Sequence, residues 1–223
     1  MRFLATMKSH LQLRSACALL AAVVSAAAVP ALGEEFRNHF DSDSLMRTPG
    51  FFDLVVLGNE SKESQARWLV LTDPNPPSAP YRLAQVNTRR PEGSIAAALR
   101  RNVELQDGAV STFVRRQPSR AGLILRMTDP KNFLVLLADT QTGELVLTSH
   151  RDGKPEELGK GTVAFDHRDW VQIAAKLEGP SVTISVNDAK LFDAKDPKPA
   201  SGRVGLATAG PGEASFDELV IVK

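Results

Sequence analysis

The chain has 223 residues, of which 43% are hydrophobic and 24% charged, and its 27 basic and 26 acidic residues leave a formal net charge of +1. This balance argues against a nucleic acid or another polyanion as a partner held by bulk charge. The single cysteine, Cys17, excludes disulfides within the chain, so a folded domain must rely on a large apolar core, which a chain of this length can bury.

The first 33 residues have the order of a secretory signal peptide, with three basic residues and no acid before an alanine-rich apolar run. The small Ala31 and Gly33 predict cleavage before Glu34, with a site after Ala28 as the alternative. We therefore expect residues 1–33 to be a signal peptide and residues 34–223 to be one exported domain, periplasmic or extracellular. An uncleaved anchor is the competing reading, but Pro30 makes the run a poor membrane span, so none is expected after cleavage.

The remaining residues suggest a succession of short strands. Residues 34–52 suit an opening strand or arm, and the four prolines of the segment 72–80 predict a loop between the strands RWLVL and YRLAQV. The segment PEGSIAAALRR fits either a short helix or a strand that begins at Ile95. Further strands are predicted at NVELQ, AVSTFVRR, AGLILRMT, NFLVLLAD, ELVLTSH, WVQIAAKLE, SVTISVND, RVGLATA and FDELVIV.

The hydrophobic pattern within these strands predicts two packed sheets. The strand SVTISVN alternates apolar and polar residues, as expected when one face is wet, whereas NFLVLLA is apolar on both faces and fits a covered central strand. Glycine, proline and Asp-Gly pairs between the strands are typical of hairpin turns. The predicted fold is all-β, a two-sheet antiparallel jelly-roll sandwich, with a closed barrel as the alternative.

The patterns that would identify an enzyme are missing. The exported part has three histidines but no HExxH, which makes a zinc site improbable. It also lacks the GxSxG motif of a nucleophilic serine. We predict no metal and no cofactor. The paired carboxylates of jelly-roll glucanases, ExDxxE, are absent, and the acids of EASFDEL fit a closing strand better than catalysis. The segment 153–161, GKPEELGKG, is interpreted as a hairpin connection rather than a phosphate loop.

Three segments carry a family resemblance: AGLILRMTDPKNFLVLLADTQTGELVLTSH, then DWVQIAAKLEGPSVTISVNDAKLFD, then GRVGLATAGPGEASFDELVI. Together they resemble the concanavalin A-like lectin/laminin-G superfamily, most closely the secreted domains related to 3-keto-disaccharide hydrolases. The matching residues, such as Trp170, Gly205 and Asp217, mainly define a fold. The resemblance implies a concanavalin A-like jelly roll and an association with carbohydrate.

Five residues are candidate ligand contacts. Arg126 lies in an otherwise apolar strand and needs a carboxylate or a ligand, so it either binds sugar on a concave sheet or forms a structural ion pair, for example with Asp139. His150 ends its strand and is predicted to line the same concave sheet beside Arg126. The alternative is that His150 is only a polar residue at a strand end. Trp68 and Tyr81 flank the proline loop and offer rings for stacking on a sugar, although core packing is the simpler reading for Trp68.

Two further features have simple structural readings. Asp129 and Asn132 carry oxygens that suit calcium, but the turn around Pro130 accounts for both residues. The arginine pairs at 89–90, 100–101 and 115–116 would form a basic stripe if they shared a face, but the acids between them favour an ordinary solvated surface.

The sequence therefore leaves three hypotheses for function. The first is a module that binds a saccharide on its concave sheet. The second is a hydrolase of 3-keto-disaccharides or other glycosides. The third is a structural or protein-interaction domain, which would bind no sugar.

Overall fold

The computed structural model describes residues 33–58, 65–164 and 170–223, and within them the chain is built of antiparallel strands. The predicted signal peptide lies outside the described residues, except for Gly33. This part of the chain contains no helix that is long and apolar enough to cross a membrane. The strands are β1 (Glu35–Asn38), β2 (Phe52–Leu57), β3 (Trp68–Thr72), β4 (Tyr81–Gln85), β5 (Ile95–Leu105), β6 (Gly108–Arg115), β7 (Arg120–Asp129), β8 (Asn132–Asp139), β9 (Glu144–Arg151), β10 (Lys154–Thr162), β11 (Trp170–Glu178), β12 (Ser181–Val186), β13 (Ala189–Lys195), β14 (Gly202–Ala209) and β15 (Ala214–Val222).

These strands form the two antiparallel sheets that the sequence predicts. The eight-stranded sheet has the order β13-β12-β11-β6-β15-β4-β3, with β1 also paired to β15. The seven-stranded sheet has the order β10-β9-β8-β7-β14-β5-β2. The jelly-roll sandwich is thereby confirmed, and the closed barrel is not formed.

The main core fills the space between the sheets, and a second apolar cluster lies on the opposite face of the seven-stranded sheet. In β8, Leu134 and Leu136 belong to the main core, whereas Phe133 and Val135 belong to the second cluster. The prediction that β8 is apolar on both faces is confirmed. We call the face that carries the second cluster the outer face; its buried members are Leu57, Ile95, Ala97, Leu99, Ile124, Met127, Phe133, Val135, Ala207 and Ala209.

Two ambiguous segments become strands. The alanine-rich segment starts β5 at Ile95, because Ala96 and Ala98 face the main core while Ala97 and Leu99 face the second cluster. Such alternation between two apolar environments is typical of a strand that is covered on both faces, and a helix does not produce it. The interpretation of the segment 153–161 as a hairpin connection is wrong, because residues 154–161 belong to the strand β10 and the turn is confined to Asp152 and Gly153.

Candidate functional site

The outer face of the seven-stranded sheet brings together chemically active side chains from β8 and β9. The hairpin between these strands pairs Phe133 with His150 at one end and Asp139 with Glu144 at the other. Residues directly opposite each other in an antiparallel pair project to the same face. The two pairs therefore lie on one strip, six residues apart along β8, which corresponds to roughly 20 Å.

His150 and Phe133 form a stacked pair at the first end of this strip. Their ring centroids are 4.2 Å apart and their planes differ by 12°. Burial lowers the pKa of the His150 imidazole, so the ring is neutral at neutral pH and offers one nitrogen donor and one acceptor. The pair borders a cleft of about 450 Å³, the His150 cleft, lined by Gly58, Gly93, Ile95, Pro130, Lys131, Phe133, His150, Gly153 and Pro155.

A second, more polar cleft of about 270 Å³ lies at the other end of the strip. Asp139 is held in place there because its Oδ1 accepts the backbone N–H groups of Gln141 and Thr142 at 3.0 and 3.1 Å. Arg120 lies opposite Asp139 on β7, as Glu144 does on β9. We call this the Asp139 cleft; its lining is Arg120, Leu137, Asp139, Glu144, Val146 and Thr148.

Arg126 is not part of either cleft. Its side chain is 1% exposed and its Nη1 pairs with the buried carboxylate of Asp196 at 2.9 Å, while its other nitrogens donate to the carbonyl oxygens of Gln106 and Gly179. Arg151 holds the second oxygen of Asp196 at 2.6 Å. Arg126 therefore forms the structural ion pair weighed in the sequence analysis, but with Asp196 instead of Asp139, and these contacts leave its guanidinium little room for a ligand.

Trp68 and Tyr81 belong to the other sheet. Trp68 is fully buried in the main core, 5.7 Å from the ring centroid of Phe216, so no sugar can reach its ring. Tyr81 is half-buried at the start of β4 and packs against the same core, with its backbone N–H bonded to Asp41. The structure thus brings His150 and Asp139 onto one strip and leaves Arg126, Trp68 and Tyr81 elsewhere.

The remaining features have local explanations. Asp129 accepts N–H groups from Lys131 and Asn132 within the β7–β8 turn. The arginine pairs form no stripe of free cations, since Arg90 is buried and Arg115 pairs with Asp73.

Sequence reasoning missed Phe133, Lys131 and Glu144 as site residues. Phe133 was interpreted only as apolar packing, although the hairpin turn at 140–143 already fixes which β8 residue faces His150. Counting the register outward from that turn would have placed Phe133 beside His150, and Glu144 beside Asp139.

No family model and no curated protein matches the sequence significantly. Among solved structures, the chain is similar to the carbohydrate-binding module CBM66 from Bacillus subtilis, with a TM-score of 0.57 and 13% identity over 77% of this chain and 97% of that one. It is similar to a β-glucanase from Bacillus licheniformis, with a TM-score of 0.53 and 10% identity over 86% and 99%. Domain 4 of AbnA, an extracellular arabinanase from Geobacillus stearothermophilus in complex with arabinotriose, gives 0.54 and 15% over 84% and 90%. What the chain shares with these proteins is the fold, a two-sheet antiparallel jelly-roll sandwich.

Proposed function

We propose that this chain is an exported carbohydrate-associated module that binds a saccharide on the outer face of the seven-stranded sheet. The observation that carries the proposal is the stacked His150–Phe133 pair at the edge of the His150 cleft. The similar folds of a carbohydrate-binding module and of an arabinanase domain support a saccharide as the class of ligand.

The lining of the His150 cleft suits a sugar ring. Ile95 and Pro130 offer apolar surface for the C–H groups of the ring, as in most small-molecule sites. The neutral imidazole of His150 and the ammonium group of the exposed Lys131 supply hydrogen bonds for hydroxyl groups. This is the combination of an apolar platform and a few polar groups that fixes the orientation of a saccharide.

A second candidate function, glycoside hydrolysis, is favoured by the Asp139 cleft. Asp139 and Glu144 are directly opposite each other on β8 and β9. Most glycosidases use a pair of carboxyl groups, one as the general acid and the other as the nucleophile or base. The family resemblance adds 3-keto-disaccharides as the substrates to test first. Hydrolysis releases product, whereas a binding module releases none.

The proposal is tested with residues Gly33–Lys223, which form one compact unit containing both sheets. The unit is screened on a glycan array with calcium and again with chelator, and each hit is titrated against three variants. We expect His150→Ala and Lys131→Ala to weaken binding by about tenfold or more, since each removes a polar contact of the cleft. Lys154→Ala is the matched control and should bind like the unaltered unit, because Lys154 is also exposed but precedes Pro155, which pairs with His150, and so projects to the opposite face of β10.

The outcomes separate the hypotheses. A folded unit that binds no glycan overturns the proposed binding function, and release of product from 3-keto sugars that stops in Asp139→Asn and Glu144→Gln would establish the hydrolase instead. A folded unit that neither binds nor cleaves sugar would leave the structural or protein-interaction domain.

A further inference from the structure

The large apolar side chains that stay exposed are concentrated in one short stretch. Within the described ranges, they are Leu45, Met46, Phe51 and Leu54, with exposed fractions between 41% and 61%. Single exposed apolar residues are common on proteins, but a contiguous group of them marks an interaction surface.

These four residues lie on one side of the sandwich, where the edge strands of both sheets run. The backbones of Met46 and Arg47 bond to Val70 on β3, the edge of the eight-stranded sheet. Leu54 lies on β2, the edge of the seven-stranded sheet, and borders a cleft of about 280 Å³ together with Gln65 and Ala66 just before β3. We call this surface the β2–β3 side.

The same side carries basic groups. Arg47 and Arg67 are exposed and form no ion pair with any other described residue, and Arg100 lies over the ring of Phe51, 5.0 Å from its centroid. Asp53, the acid of β2, is held by both Arg101 and Arg203 at 2.6 Å. The described part of the β2–β3 side therefore combines protruding apolar groups with two arginines, Arg47 and Arg67, that form no ion pair with another described residue.

We propose that the β2–β3 side docks on an anionic lipid surface, with Met46 and Phe51 entering the headgroup region and Arg47 and Arg67 binding lipid phosphates. Apolar side chains interspersed with arginines are the composition that binds such an interface. A symmetric contact with a second copy fits less well, because it would place two arginine-bearing surfaces against each other and take both sets of charges out of water. The docking is peripheral, and it needs no membrane-spanning segment.

The test uses the Gly33–Lys223 unit, so that the apolar run of residues 1–32 makes no contribution to vesicle binding. Co-sedimentation is measured with vesicles of pure phosphatidylcholine and with mixtures containing phosphatidylglycerol. We expect binding only to the mixtures, falling as salt is raised. Arg47→Ser should weaken it by about fivefold, the effect of one basic residue at such a surface.

A matched control and a second variant complete the test. Arg116→Ser removes another exposed arginine, which follows β6 in the interior of the eight-stranded sheet, and should bind like the unaltered unit. The double variant Met46→Asn with Phe51→Ser should lose about tenfold or more through the apolar contacts; asparagine suits the positive φ of Met46. Equal losses in Arg47→Ser and Arg116→Ser, no preference for phosphatidylglycerol, or a concentration-dependent dimer broken by the double variant would each overturn the proposal.

Discussion

At the scale of single residues, Asp217 is a buried acid with a raised pKa. The carboxyl group is fully buried and anchors the proline loop to β15, accepting the backbone N–H of Ser78 at 2.7 Å and that of Glu218 at 2.8 Å. Burial raises the pKa of Asp217 to about 7, and the hydrogen bonds from Ser78 and Glu218 only partly oppose this. An acid whose pKa is higher in the folded than in the unfolded state favours folding while it is protonated.

This raised pKa predicts a pH dependence of stability. Between about pH 4 and pH 7 the folded state keeps a proton that the unfolded state has lost, so the free energy of unfolding should decrease as the pH rises through this window. Asp217→Asn mimics the protonated form and should remove this decrease, by at most about 4 kcal/mol. Urea unfolding at several pH values measures the effect. Asp129→Asn, at an exposed turn, is the control; a decrease that persists unchanged in Asp217→Asn would refute the assignment.

For Arg126, the sequence predicts that an ion-pair partner is needed but does not identify that partner. The sequence indicates that a mid-strand arginine must have a partner, and the structure supplies one. The partner, Asp196, follows β13, 70 residues further along the chain. No local pattern could distinguish it from Asp139, because the choice depends on how β7 and the end of β13 meet in three dimensions.

At the scale of elements, the sequence predicts a strand most clearly where one face of the strand is exposed to solvent or where glycine marks the turn that bounds it. In β12, Val182 and Ile184 are buried while Thr183 and Ser185 are partly exposed, as the alternation predicts. The strands β2, β10 and β13, which are all edge strands, were not predicted from the sequence. β10 has four charged residues among nine and β13 three among seven, so both lack an apolar alternation to detect.

The hairpin between β8 and β9, which aligns the strip on the outer face, depends on Gly143. Its φ is +78°, its N–H donates to the carbonyl of Asp139 at 2.9 Å, and a Cβ there would collide with the carbonyl oxygen of Val163. Gly93 has a nearly equal φ of +76° with open space around it. Gly93→Ala should therefore cost about 1 kcal/mol for the backbone alone, whereas Gly143→Ala should cost about 3 kcal/mol or more. Chemical denaturation compares the two, and equal losses would show that the collision is relieved without cost.

At the scale of the whole molecule, the sandwich is closed by strands from the two ends of the described chain. β1 pairs with β15 in the register Glu35 with Val222, and the N–H of Lys223 donates to the carbonyl of Glu34 at 2.9 Å. The sequence predicted an opening strand or arm and a closing strand, but their pairing spans nearly the whole domain, which no local signal encodes.

This closure predicts that the domain tolerates circular permutation. Joining Lys223 to Gly33 through a short linker and opening the chain between Asp188 and Ala189 cuts the exposed turn that leads into the edge strand β13, so that no strand is interrupted. The permutant should unfold cooperatively at a midpoint close to that of the parent unit. Opening the same joined chain between Val135 and Leu136, inside the buried β8, should abolish folding, because both apolar clusters lose an interior strand that contributes to each of them. Circular dichroism during thermal unfolding compares the two permutants. Folding of the second would show that β8 is not the common support of the core and the outer face.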